Sequence, residues 1–169
     1  MWKKILAGVL LAAMAVVTVG CAKENAVSFE QQTLPGGEFD MSVLLTKEDV
    51  KTVTGIDVND PVISSQGVDM NLKAVEGSGF IRVGSRKYGK DSVKQYYDRE
   101  LKVAQGNNPE ELTLDNNQEA FYDRVNGLVF YYGERLISVS ALNMKVDQDQ
   151  LVQLGNCVIK NYTAAGLEN

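Results

Sequence analysis

Twenty-two carboxylates, seven tyrosines and two cysteines carry the reactive side-chain chemistry of this 169-residue chain, and it has no histidine. Without imidazole there is no Ser-His-Asp or Cys-His arrangement, no HExxH zinc site and no histidine general base. No serine has a lysine three residues on, which removes the SxxK pattern. Gly77-Ser78-Gly79 is followed by Arg82 where a dinucleotide fingerprint needs its third glycine, so this glycine pair reads as a turn. Asp57-Val58-Asn59-Asp60 and Asp147-Gln148-Asp149 alternate oxygen ligands as a calcium loop does, yet neither has the glycine or the distal Glu of an EF-hand. The inventory therefore implies no catalytic residue, no metal and no cofactor. Aromatic side chains are the better candidates for ligand contact: Tyr97 with Tyr96 on a helix, and Tyr122, Tyr131 and Tyr132 on strands. Tyrosine offers a flat apolar face with a hydroxyl for orientation, and the same property fills cores. Neighbours on a strand point to opposite faces, so one of Tyr131 and Tyr132 should be buried and the other exposed.

Cys21 is a different kind of site. Lys3 and Lys4 form a short basic start, Ile5 to Val19 are apolar apart from Gly8 and Thr18, and Thr18-Val19-Gly20-Cys21 closes the segment. A small residue before cysteine suits a lipoprotein signal peptidase: the thiol is alkylated by diacylglycerol, the bond after Gly20 is cut, and the new amino group is acylated. The box is imperfect, since Thr18 stands where Leu is usual. The uncharged run between the lysines is short for a membrane-spanning helix, which needs about 20 apolar residues. Val-x-Gly also fits an ordinary A-x-A secretory site less well. Residues 1–20 therefore read as a removable signal peptide. The mature chain is expected at the extracytoplasmic face of a bacterial cell membrane, held by lipid on Cys21. Ala22 in place of Asp resembles outer-membrane sorting if the host has two membranes.

Removing the signal leaves 15 basic against 22 acidic side chains, a net charge of −7. Such a surface repels nucleic acid and anionic headgroups, so membrane association must come from the lipid. With Cys21 consumed as a thioether, Cys157 is unpaired, and without a neighbouring imidazole it reads as an inert, half-buried small residue.

The elements that would position any site follow from caps and periodicity. Residues 21–40, with Pro35-Gly36-Gly37 near the end, read as a tether, and 41–169 as a single domain. Thr46 with Asp49 marks a helix start and Gly55 its stop. Alternation at Met70, Leu72 and Ala74, the turn at Gly77 to Gly79, and Phe80-Ile81-Arg82-Val83 give strands, with another through Val62 and Ile63. A second helix runs from Asp91 to about Ala104, with Val93, Tyr96, Tyr97, Leu101 and Ala104 on one stripe. Glu119 to Val125, Asn126-Gly127 and Leu128 to Tyr132 read as a type I′ hairpin, and Leu136 to Ala141 completes a three-stranded meander. Asp147 and Gln150 cap a last helix with Leu151, Leu154, Val158, Ile159 and Tyr162 on one face and Cys157 on the wetter side. The expected fold is α+β: an antiparallel sheet of five to six strands with three helices packed on one face, in the order α-ββ(β)-α-βββ-α.

From Leu114 to Tyr162 the chain resembles small uncharacterised bacterial lipoproteins with sensor-like extracellular domains. In these, an acidic-Ala pair (here Glu119-Ala120) precedes a Leu-Val-aromatic, Gly, Ile-x-Val hairpin and an Asp-led helix with a leucine stripe. The opening Leu-Thr-x-Glu-Asp-Val around Leu45 to Gly55 is similar as well. Those relatives often carry a disulfide that this chain lacks. The resemblance implies a non-enzymatic, membrane-tethered domain whose partner is a small ligand, a peptidoglycan component or an envelope protein; the contrasting class is a histidine-free hydrolase using carboxylates or tyrosine.

Overall fold

A computed structural model describes residues 40–167; the signal peptide, Cys21 and nearly all of the tether lie outside the described residues. The first described side chain already holds structure: Asp40 accepts from the Ser42 N–H at 2.9 Å and caps a short 3-10 turn, Met41–Val43, which buries Met41. Thr46 then opens α1 (Lys47–Thr54) with a complete capping box. Its hydroxyl accepts from the Asp49 N–H, the Asp49 carboxylate accepts from the Thr46 N–H, and Gly55 at φ 73° ends the helix. α2 (Lys90–Ala104) starts behind Gly89 with no side-chain cap bond. α3 (Gln148–Ala164) opens on the expected Asp147 and Gln150 box.

Among the described residues seven strands form one antiparallel sheet: β1 (Val62–Ile63), β2 (Asp69–Lys73), β3 (Phe80–Lys87), β4 (Glu110–Leu114), β5 (Gln118–Asp123), β6 (Gly127–Tyr132) and β7 (Arg135–Leu142). Their order is β1-β2-β3-β7-β6-β5-β4. Two meanders, β1 to β3 and β4 to β7, thus meet along β3 and β7, which pair from Phe80 opposite Leu142 to Lys87 opposite Arg135. The fold is the expected α+β sheet with three helices. The additional strand is β4, an edge whose sequence Glu-Glu-Leu-Thr-Leu contains only two apolar residues and so carries little period-2 signal.

The hairpin between β5 and β6 differs from the type I′ expectation. Its loop is the three residues Arg124, Val125 and Asn126; only Gly127 lies at positive φ, at 79°, where it pairs with Asp123. A type I′ turn needs positive φ at both central residues, and Asn126 lacks it. The buried Asp123 carboxylate selects the three-residue loop by accepting from the Val125 and Asn126 N–H groups, both at 2.6 Å.

The helices are not confined to one face. On one side the stripe of α3 (Leu151, Leu154, Val158, Ile159) packs on Leu128, Phe130, Ile137 and Val139, joined by Met41, Leu44, Leu45 and Val50 from the chain around α1. On the other, Val93, Tyr97 and Ala104 of α2 pack on Phe121, Val129 and Leu136. β6 shows why: Leu128-Val129-Phe130-Tyr131 is apolar or aromatic at every position, so both faces of that strand need cover. Cys157 on α3 is half-buried, with α1 lying beside that helix. Asn161 Nδ2 donates to the Asp49 carboxylate at 2.9 Å and to the Leu44 carbonyl at 3.2 Å, and Cys157 is half-buried below. Burial pushes its thiol pKa up, with the Asp49 charge adding to the effect, so it is a poor nucleophile.

Candidate functional site

Among the described residues α2 packs mainly on β6 and β7. A cavity of about 510 Å³ runs along the α2 side of β3 and β7 and round the β5–β6 loop to Val146 and Leu151. Alternation along β3 directs Arg82, Gly84 and Arg86 to this side, opposite the buried Ile81, Val83 and Ser85. The register then sets Asp69 on one flank of Gly84 and Ser138 on the other, with Ser140 beside Arg82. A Cβ at Gly84 would come within 2.7 Å of Ser138 Oγ and 3.4 Å of Asp69 Oδ1, so a side chain there would have to displace the Ser138 hydroxyl. The far wall is Glu100 of α2, and the β5–β6 loop contributes Arg124. Arg82 Nε stands 3.7 Å from Asp69 Oδ1, while Arg86 and Arg124 have no carboxylate within 4.0 Å among the described residues. None of these groove side chains was a candidate by sequence reading. The available signal was the Arg-x-Gly-x-Arg alternation of residues 82–86, which puts two arginines and a glycine on one strand face.

The four tyrosines proposed from sequence as a ligand surface do not share one. Tyr97 and Tyr131 lie on the α2 side, ring centroids 5.2 Å apart, and Tyr97 also leans on Phe121 at 5.6 Å. Tyr122 and Tyr132 lie on the opposite side; Tyr132 meets Tyr162 edge-on at 5.4 Å and its hydroxyl is 3.1 Å from Thr163 Oγ1. Instead of one buried and one exposed, Tyr131 and Tyr132 are both half-buried, because both faces of β6 are covered.

A second, smaller cleft of about 470 Å³ does use a tyrosine. Tyr97 lines it together with Leu101, Glu111 and Glu119. Lys94 Nζ sits over Tyr97 and Tyr131, 5.2 and 5.9 Å from the ring centroids, and is held by Asp98 and by Glu119, the latter at 3.0 Å. Burial, followed by the Glu119 charge, raises the Tyr97 pKa to about 12, so its hydroxyl stays neutral at physiological pH. The Asp98 and Glu119 side chains are 55% and 56% exposed and converge on one ammonium, so they brace α2 against β5 in open solvent. This is not a closed cleft holding a desolvated acid pair.

Neither Ser138 nor Ser140 is hydrogen-bonded to a base among the described residues, and no cluster of three His, Cys, Asp or Glu side chains has metal-binding geometry there. The groove offers hydrogen bonds and charge rather than an activated nucleophile. No protein-family model, curated protein or solved structure matches this chain significantly.

Proposed function

We propose that this chain is a bacterial lipoprotein whose α+β domain is a binding module displayed at the extracytoplasmic face of the cell membrane, anchored through Cys21. The observation that carries the reading is the ordered run of Lys3-Lys4, fifteen residues from Ile5 to Val19, and Thr18-Val19-Gly20-Cys21. Two or more acyl chains on Cys21 anchor stably where one alone is marginal. In a two-membrane host, Ala22 directs the protein to the outer membrane. The strongly acidic mature chain supports a partner that is neither nucleic acid nor the membrane surface itself.

Binding rather than catalysis is supported by the side chains available. The chain has no imidazole, the Cys157 thiol is raised in pKa and half-buried, and among the described residues no base is hydrogen-bonded to Ser138 or Ser140. Native mass spectrometry of the protein purified from its own envelope tests this. The expected result is a non-covalent added mass that unfolding releases unchanged. Steady conversion of that released compound by fresh protein would instead establish a histidine-free enzyme.

A further inference from the structure

We infer that Asn126 is a site of covalent ageing: its side-chain amide is hydrolysed spontaneously, the Asp123 carboxylate holds that loss back in the folded domain, and the acid formed loosens the β5–β6 hairpin. The inference stands apart from the binding-module reading. Asn126-Gly127 is the one Asn-Gly pair in the chain. Glycine has no Cβ to shield its own amide nitrogen from the side chain that precedes it. In the reaction the Gly127 nitrogen gives up its proton and attacks Asn126 Cγ. The new C–N bond closes a cyclic imide, the Cγ–Nδ2 bond breaks, and Nδ2 leaves as ammonia. Water then opens the imide at either carbonyl, giving aspartate or isoaspartate.

Asn126 is exposed, so water reaches it, but both reacting groups are held. Asn126 Nδ2 donates to Asp123 Oδ2 at 2.7 Å and the Asn126 N–H donates to Asp123 Oδ1 at 2.6 Å, so one carboxylate fixes the leaving amide and the backbone that carries it. The Val125 N–H gives Oδ1 another bond at 2.6 Å, and Asp123 is itself buried. The nucleophile is no freer. Gly127 pairs with Asp123 in the ladder, and a Cβ there would stand 2.5 Å from the Val139 carbonyl oxygen, so its backbone lies close against β7. Attack requires Asn126 Cγ to swing onto that nitrogen, which first breaks the charge-assisted hydrogen bond to Asp123.

The product undoes the clamp that delayed it. A carboxylate replaces an amide donor that stood 2.7 Å from Asp123 Oδ2, and like charges that close repel. Isoaspartate also lengthens the main chain by one carbon, which the pairing of Asp123 with Gly127 has no room to absorb. Arg124, Val125 and Asn126 line the cavity, so the change adds an anion to its rim.

The test incubates the full-length protein at mildly alkaline pH, folded in detergent and unfolded in guanidinium chloride. Peptide mass spectrometry follows Asn126, and methylation by an isoaspartyl methyltransferase reports isoaspartate. The folded wild type should deamidate about tenfold or more slowly than the unfolded chain, as the need to break a charge-assisted hydrogen bond implies. Asp123→Ala, where it still melts cooperatively, should lose most of that protection. Asn126→Asp, which supplies the aspartate product directly, should melt about 5 °C or more below the wild type. A folded rate equal to or above the unfolded one, full protection in a folded Asp123→Ala protein, or an Asn126→Asp protein that melts with the wild type would overturn the inference. Should Asp123→Ala not fold, the wild-type rate ratio and the melting of Asn126→Asp decide it.

Discussion

Leu154→Ala should lower the unfolding free energy by about 2–5 kcal/mol, the range for truncating a fully buried leucine whose site cannot collapse. Leu154 has no exposed surface and lies at the centre of α3, within the cluster formed by Phe130, Ile137 and Val139. A domain of this size is stable by only about 5–15 kcal/mol, so the variant should approach the threshold of folding at growth temperature. Cys157→Ser, three residues on and half-buried, should cost much less. Urea denaturation followed by circular dichroism checks both, and equal costs at the two positions would show that α3 does not present its leucine stripe to the sheet.

Gly155→Ala carries the second large effect, and its sign runs against local propensity. In an isolated helix the change gains about 1 kcal/mol. Here a Cβ at position 155 would stand 2.5 Å from Leu128 Cδ2, 3.4 Å from Leu114 Cδ1 and 3.6 Å from Phe130 Cε1. Leu128 and Phe130 have no exposed surface and so have little room to yield. Overpacking at such a contact costs about 1–3 kcal/mol, and we expect a net loss of stability in the same denaturation series. Gly155 is therefore a point of close approach between α3 and the sheet, and a stabilised Gly155→Ala protein would mean that helix and sheet stand further apart.

What the sequence made legible was whatever depends on neighbours along the chain. The capping boxes at Thr46 and Asp147 satisfy helix-end donors within three residues, so α1 and α3 could be read from type and spacing alone. Long-range conditions were hidden. Nothing local in Asn126-Gly127 reports that the buried Asp123 carboxylate will hold the loop one residue longer. The polar edge strand β4 is defined by its pairing with β5 and not by its own pattern. Tyr97, Tyr122, Tyr131 and Tyr132 drew attention as a group, but which of them meet depends on helices covering both faces. The groove assembles Asp69, Arg82, Glu100 and Arg124 from two strands, a helix and a loop, so only its Arg82, Gly84, Arg86 segment left a trace in the order of residues.

The central claim is that a lipid on Cys21 holds this domain at the membrane, and metabolic labelling with radioactive palmitate in a bacterial host tests it most directly. The account predicts a labelled, processed wild-type band in the membrane fraction. For Cys21→Ser it predicts an unlabelled precursor that retains residues 1–20, because the thiol is the acceptor for diacylglycerol and the serine hydroxyl does not replace it. Label that persists on Cys21→Ser, or a wild-type protein that takes up none, would contradict the account.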